Sequence, residues 1–171
     1  MEQNVKEKNF VSAVIYIRSG EEDTDKNIEN LLKVMKEHFE HYEIIFVNDA
    51  SSDGCVDKIK KIFAKEENNG IAVRIINMSY YYGREIAMSA GVDMAIGDYV
   101  FEFDRISSIG DDIIMKAYYK CIQGTDIVSV TPKKVAGFIT KLYYKIYNSS
   151  SNIKENFLKR ELFCVVSRRT I

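Results

Sequence analysis

Residues 42–54 read Tyr-Glu-Ile-Ile-Phe-Val-Asn-Asp-Ala-Ser-Ser-Asp-Gly, an apolar run that ends in a short polar stretch. An apolar segment of this length, bounded by Asp, Ser and Gly, indicates a buried strand followed by a turn. Apolar residues at helical spacing follow in 56–65, with Ile59, Ile62 and Phe63 on one side. The stretch therefore predicts a strand, a loop and a helix, the unit from which parallel sheets are built.

The same alternation continues on both sides of this unit. Its pattern predicts strands at 11–17, 42–48, 71–76, 99–103, 126–130 and 162–166, and helices at 25–40, 56–65, 83–96, 111–123 and 134–147. Strands that alternate with helices form a mostly parallel sheet with helices on both faces. We therefore predict a Rossmann-type α/β fold in a single domain that spans residues 1–171.

Composition sets the class of protein. The 171 residues suit one domain, and 46% hydrophobic with 29% charged residues is typical of globular chains rather than disordered ones. Three widely spaced cysteines without a C-x-x-C pair argue against disulfides and a zinc site. No signal-peptide core and no long apolar run occurs, so we expect a cytoplasmic protein, with peripheral contact at the inner membrane surface as a further option.

Charge is distributed unevenly along the chain. The net charge of −1 gives no reason to expect a nucleic-acid partner, yet residues 133–171 hold nine Lys and Arg against two Glu. The predicted helix 134–147 places Lys134, Lys141 and Lys145 beside an apolar, aromatic face. Such a helix can lie on an anionic bilayer, or it can pack on its own sheet or on a second copy in a homodimer.

Polar residues follow the predicted strands at the edge where ligands of such sheets bind. Ser19 follows the first strand, Asp49 the second and Asp104 the fourth. Neither a dinucleotide fingerprint nor a P-loop occurs, whereas carboxylates at this edge suit ribose hydroxyls, a base N–H or a divalent cation. Asp53 fits the N-cap of the next helix better than a ligand site.

Three stretches, taken together, resemble the family 2 glycosyltransferases of the GT-A fold, especially the polyprenyl-phosphate sugar transferases. Residues 42–54 resemble that family's V-D-D-G-S-x-D-G loop, residues 78–93 resemble the segment before its metal motif, and residues 97–104 resemble the strand that delivers its D-x-D. The resemblance covers about 12–112 and continues more weakly to 163–169. It implies a donor-binding part at about 11–112 and a short acceptor or interface part at about 113–171.

The resemblance also implies a function and a set of site residues. It implies transfer of a sugar from a nucleoside diphosphate donor to a lipid-phosphate or glycan acceptor. Asp49 corresponds to the aspartate that contacts the nucleobase, and Asp104 to the first aspartate of D-x-D, near the ribose and a Mg²⁺ or Mn²⁺ ion. Ser19 and Arg105 complete the expected donor-binding set. Glu155 is the candidate for the catalytic base, in a setting that differs from the family's.

The chain departs from the family pattern at several of these positions. The second aspartate of D-x-D is Ile106, which cannot bind a metal, and Tyr16 stands where the family has proline. Glu102 can pair with Asp104 as a metal ligand because the two alternate onto one strand face. Alternatively, Arg105 replaces the cation and neutralises the diphosphate. The departures favour weakened or lost activity, and the alternative function is a non-catalytic module that binds a nucleotide or a partner protein.

The run Tyr80-Tyr81-Tyr82 includes, at its first two positions, the places where that family has arginine and asparagine before the glycine at 83. Its rings suit stacking on a base or a sugar, and they equally suit packing within the domain. The sequence leaves these two alternatives open.

Overall fold

The computed structural model describes residues 5–19, 24–64, 71–104, 109–131 and 162–171. In this part of the chain, strands and helices alternate as the sequence predicts. The strands are β1 (Val11–Ile17), β2 (Tyr42–Asn48), β3 (Ala72–Asn77), β4 (Tyr99–Phe103), β5 (Ile127–Val130) and β6 (Phe163–Ser167). The helices are α1 (Thr24–His38), α2 (Cys55–Ala64), α3 (Arg84–Met94) and α4 (Asp111–Ile122), with a short 3-10 turn at Arg168–Thr170.

These strands form one mixed sheet in the order β3-β2-β1-β4-β6-β5. β1 to β4 are parallel, whereas β6 lies antiparallel between β4 and β5. Ile17 lies opposite Asn48, and Asn48 opposite Asn77, so the first three strands end at the same level. Their carboxyl ends therefore open onto one edge of the sheet, where the sequence places its polar residues.

Helices cover the sheet on both faces, because the strand residues alternate between two cores. The larger core joins α1, α2 and α4 to one face, and there the Phe39 ring meets the rings of Phe101 and Tyr118 edge to face. The smaller core joins α3 to the other face through Ala87 and Met88. The apolar period of two in the strands and of about four in the helices produces this layering.

The amino-terminal edge of the sheet is closed by a buried polar cluster. Glu43 is fully buried and accepts hydrogen bonds from Ser12 Oγ at 2.6 Å and from the Ile96 N–H at 2.8 Å. Ser12 Oγ accepts from the Gly97 N–H at 2.9 Å, and Arg74 Nη1 lies 3.3 Å from Glu43 Oε2. Most of these buried groups are satisfied within the cluster, and Glu43 Oε2 has the ion-pair contact with Arg74 but accepts no hydrogen bond from the described residues. The opposite edge is therefore the better place to look for a ligand site.

The predicted α/β class and mostly parallel sheet with helices on both faces are confirmed, and the element bounds differ from prediction by one or two residues. Among the described helices, none has both the length and the hydropathy that crossing a bilayer requires. The predicted helix 134–147, with its bilayer or homodimer contact, lies outside the described residues. So do Arg105, Ile106 and Glu155, whose roles stay predictions.

Candidate functional site

The carboxyl ends of β1, β2 and β4 bring three predicted site residues, Ser19, Asp49 and Asp104, to one edge. The loop after β2 also joins the loop after β1, because Ser19 Oγ accepts the Ser52 N–H at 3.2 Å. Ser19 thus connects the two loops in this structure. Its contact with a donor nucleotide stays a prediction.

The loop 49–54 has a fixed conformation, held by short-range hydrogen bonds. Asn48 Oδ1 accepts the Ser51 N–H at 3.0 Å, and Asp53 Oδ1 accepts the N–H of Cys55, the first residue of α2, at 3.1 Å. Asp53 therefore serves the start of the helix, as the sequence indicates. Ala50 adopts a positive φ of 55°, a left-handed conformation that favours glycine, and glycine is the residue that the family pattern has there.

Asp49 is buried, with 2% of its surface exposed, and its carboxylate accepts three hydrogen bonds. Oδ2 accepts from the Tyr16 hydroxyl and the Gly83 N–H, both at 2.9 Å, and Oδ1 accepts from the Tyr82 N–H at 2.8 Å. The carboxylate thereby ties β2 to the residues that precede α3, and its negative charge suits the positive end of that helix. In this structure Asp49 positions the loop, while its predicted contact with a nucleobase is untested.

Tyr16 is the residue that the sequence shows only as a lost proline. Its ring is buried beneath α3, and burial together with the adjacent Asp49 carboxylate raises the pKa of its hydroxyl well above the usual range. The hydroxyl therefore stays protonated and acts as a permanent donor to Asp49. The residue that replaces proline is thus part of the support of this edge.

Arg84 pairs with Asp104 at the same edge. Arg84 Nε lies 2.6 Å from Asp104 Oδ1, and Arg84 Nη1 donates to Glu85 Oε1 at 2.8 Å. Burial alone lowers the pKa of Arg84, but the two carboxylates outweigh it and raise that pKa, so the guanidinium is always charged. Sequence reasoning missed Arg84 because it considered the residues that follow strands, whereas Arg84 is the first residue of a helix.

An aromatic and basic rim stands beside this ion pair. Tyr80, Tyr81 and Tyr82 are 72%, 60% and 46% exposed, which supports a surface role rather than packing within the domain. The Arg18 guanidinium lies 5.0 Å from the centroid of the Tyr81 ring, within cation–π distance. Exposed rings next to arginines can stack on a base and attract phosphates.

A comparison with models of protein families identifies the family to which the chain belongs. The model of the family described as "Glycosyl transferase family 2" matches residues 12–162, most of the chain. The chain belongs to glycosyl transferase family 2. The strands and loops of the edge described above lie within that match.

The relatives of this glycosyl transferase family 2 chain include transferases of lipid-linked sugars. An uncharacterized glycosyltransferase of Synechocystis sp. is 30% identical over 150 residues, which cover 84% of this chain and 46% of the relative. The undecaprenyl-phosphate 4-deoxy-4-formamido-L-arabinose transferase of Proteus mirabilis is 32% identical over 120 residues, which cover 70% of this chain and 36% of the relative. The chain thus spans less than half the length of these relatives.

Solved structures confirm the fold. The mannosyltransferase PcManGT from Pyrobaculum calidifontis, in complex with GDP-Man and Mn²⁺, superposes with a TM-score of 0.69 at 13% identity, over 95% of this chain and 46% of that one. Glucosyl-3-phosphoglycerate synthase from Mycobacterium tuberculosis gives 0.70 at 11% identity, over 94% of this chain and 57% of that one. The fold is that of the GT-A glycosyltransferases.

The two carboxylates that the sequence predicts as metal ligands, Asp104 and Glu102, lie in different surroundings. Asp104 is already paired with Arg84, and Glu102 is half-buried on β4, opposite Val14 and Cys164 in the neighbouring strands. Within the described residues, a separate group of Glu37, His38 and Asp111 brings one ligand atom from each within 4.8 Å of the others. It lies on α1 and α4 rather than on the loops of the edge, and exposed acidic groups of this kind are common without a metal.

Proposed function

We propose that this chain is the donor-binding part of a glycosyltransferase that moves a sugar from a nucleoside diphosphate to a lipid-phosphate acceptor. The observation that carries the proposal is the convergence of Arg18, Tyr81, Arg84 and Asp104 on one strand-end edge of a family 2 fold. Parallel α/β sheets bind ligands at this edge. The donor-binding part is the segment of about 11–112, as the sequence predicts.

The chemistry of a nucleoside diphosphate matches these residues. Guanidinium groups bind phosphate oxygens through paired N–H donors, exposed tyrosine rings stack on bases, and a carboxylate accepts ribose hydroxyls. The lipid-phosphate acceptor is proposed because relatives named undecaprenyl-phosphate transferases match 70–81% of the chain. Residues 113–171 are the proposed acceptor or interface part, and Glu155 is the proposed base that removes the proton of the attacking oxygen.

Calorimetric titration with uridine, guanosine and cytidine diphosphates tests donor binding. We expect one of the three to bind, and we expect Tyr81→Ala to weaken that binding by about 5- to 100-fold, the range for loss of one base stack. Tyr119→Ala is the matched control, because Tyr119 is an exposed tyrosine on α4. If none of the three nucleotides binds, or if both variants weaken binding equally, the proposed site is wrong.

A non-catalytic nucleotide-binding module is the second candidate function, and position 106 favours it. Ile106 replaces the second acid of D-x-D, so the chain lacks one carboxylate that metal-assisted transfer would use. Incubation with a radiolabelled nucleotide sugar and polyprenyl phosphate separates the two functions. Labelled lipid indicates the transferase, whereas nucleotide binding without labelled lipid or released sugar indicates the module.

A further inference from the structure

We infer that Arg84 takes the place of a divalent cation at this edge, so that the chain binds nucleoside diphosphates without a metal. The inference rests on the proposed function, because it concerns how the same site neutralises the donor phosphates. Its starting point is the 2.6 Å contact between Arg84 Nε and Asp104 Oδ1. The carboxylate that a metal would use is occupied by a positive charge that belongs to the protein.

The described residues at the edge do not suit a divalent cation. Mg²⁺ and Mn²⁺ prefer several oxygen ligands, often from more than one carboxylate. The edge offers Asp104 next to the permanent charge of Arg84, while Asp49 is buried and already accepts three hydrogen bonds. At position 106, where the family has the second acid, the isoleucine side chain carries no oxygen. A metal at Asp104 would have to displace the guanidinium or lie directly against it, and like charges at that distance repel.

Arg84 itself is well placed to bind an anion. Its two contacts among the described residues use Nε and Nη1, which leaves the N–H groups of Nη2 without a partner in that part of the chain. Its side chain is 30% exposed, so the guanidinium is held in place but reachable from solvent. A planar guanidinium with open donors matches the oxygens of a diphosphate, and Asp104 fixes its orientation before the ligand arrives.

Arg18 supplies a second positive charge at the end of the neighbouring strand. It is exposed and lies over the Tyr81 ring, which keeps its guanidinium at the rim of the edge. Arg18 and Arg84 together carry the two charges that one divalent cation would bring. Arg84 thus takes the task that the sequence also offers to Arg105, whose role stays a prediction because it lies outside the described residues.

Titration of the wild-type chain with uridine, guanosine and cytidine diphosphates, in EDTA and in MnCl₂, tests this inference. We expect the dissociation constant of the nucleotide that binds to differ by less than about twofold between the two conditions. Binding that EDTA abolishes and Mn²⁺ restores would overturn the inference while leaving the proposed function standing. Absence of binding in both conditions would refute the proposed function itself, and the inference with it.

Substitutions at Arg84 test whether its guanidinium is responsible for diphosphate binding without a metal. In EDTA, Arg84→Ala is expected to weaken diphosphate binding by at least about tenfold. Arg84→Lys should weaken it by less, because lysine keeps the positive charge but lacks the paired N–H donors of the planar guanidinium. The nucleoside without phosphates should bind both variants as it binds the wild type, which separates a phosphate contact from a folding defect. Lys116→Ala is the control, because it breaks a surface ion pair with Asp112 on α4. An Arg84→Ala variant that binds the diphosphate in EDTA as tightly as the control contradicts the inference.

Discussion

Removal of the Tyr16 hydroxyl tests whether the Asp49 carboxylate holds the strand-end edge together. The hydroxyl donates to Asp49 Oδ2 at 2.9 Å, and the exposed fractions of the two residues are 6% and 2%. Tyr16→Phe keeps the ring that packs beneath α3 and removes this donor alone. The change therefore isolates one buried hydrogen bond to a charged group.

The expected cost follows from what remains around the carboxylate. A hydrogen bond to a charged group contributes about 1.5–3 kcal/mol. The Tyr82 and Gly83 N–H groups still donate to Asp49 in the variant, so the charge keeps two partners. We therefore expect the free energy of unfolding to fall by about 1.5–2 kcal/mol, near the lower end of that range. For a chain of this size this corresponds to a drop in Tm of about 5 °C.

Asp49→Asn is expected to cost more than Tyr16→Phe. An asparagine has one acceptor oxygen and one amide nitrogen, so in either orientation its NH₂ group faces a backbone N–H that now points at the carboxylate. A buried donor left without its acceptor costs about 1–3 kcal/mol, in addition to the weaker hydrogen bonds that an uncharged amide accepts. The double variant should cost less than the sum of the two single changes, since both weaken or remove the same hydrogen bond.

Urea unfolding followed by circular dichroism measures these free energies. Tyr80→Phe is the matched control, because Tyr80 is the most exposed of the three consecutive tyrosines and its hydroxyl should contribute little. A Tyr16→Phe variant that unfolds at the same urea concentration as Tyr80→Phe would show that the hydroxyl does not stabilise the edge. Strict additivity of Tyr16→Phe and Asp49→Asn would refute the coupling.

Three further predictions concern the rest of the domain. Gly91→Ala should lower stability by about 1–2 kcal/mol, because its methyl group would lie 2.4 Å from Val14 Cγ1, and Val14→Ala in that background should recover part of the loss. Ala50→Gly should raise stability by about 0.5–1 kcal/mol, because glycine adopts the positive φ of this position without strain, whereas Ala64→Gly in α2 should lower stability. If the two substitutions changed stability equally, the backbone at Ala50 would not be strained. Burial raises the pKa of Tyr118 to about 12, so above pH 10 the unfolded chain loses a proton that the folded chain keeps. The titration of Tyr118 should lower stability by about 1.4 kcal/mol per pH unit between pH 10 and 12, in addition to the contribution of Tyr16, and a fall in Tyr118→Phe as steep as that of the wild type would disprove the assignment.

The elements and the position of the edge could be predicted because they depend on local patterns. The polar residues that follow the apolar runs determine where strands 42–48 and 99–103 end. Parallel strands then place those ends at the same side of the sheet. Asp49 and Asp104 therefore lie where the sequence indicates. Their partners could not be predicted. Tyr16 reaches Asp49 across 33 residues through the pairing of β1 with β2, and Arg84 reaches Asp104 across 20 residues through the packing of α3.

The direction of β6 was equally inaccessible to sequence reasoning. Its apolar run predicts a strand but carries no sign of whether it pairs parallel or antiparallel. Pairing depends on the path of the chain between Val130 and Phe163, most of which lies outside the described residues. The reversed strand therefore belongs to the part of the fold that the structure alone establishes.

The position of β6 has a consequence for the order in which the sheet forms during synthesis. β5 has β6 as its neighbour in the described sheet, and β6 is made more than thirty residues later. Until Phe163–Ser167 leaves the ribosome, the nascent chain carries a complete β1–β4 unit, and both the outer side of β4 and the whole of β5 lack their partner among the described strands. Open edges of this kind pair readily with other chains, so the interval before β6 emerges is when the nascent protein most needs protection from aggregation.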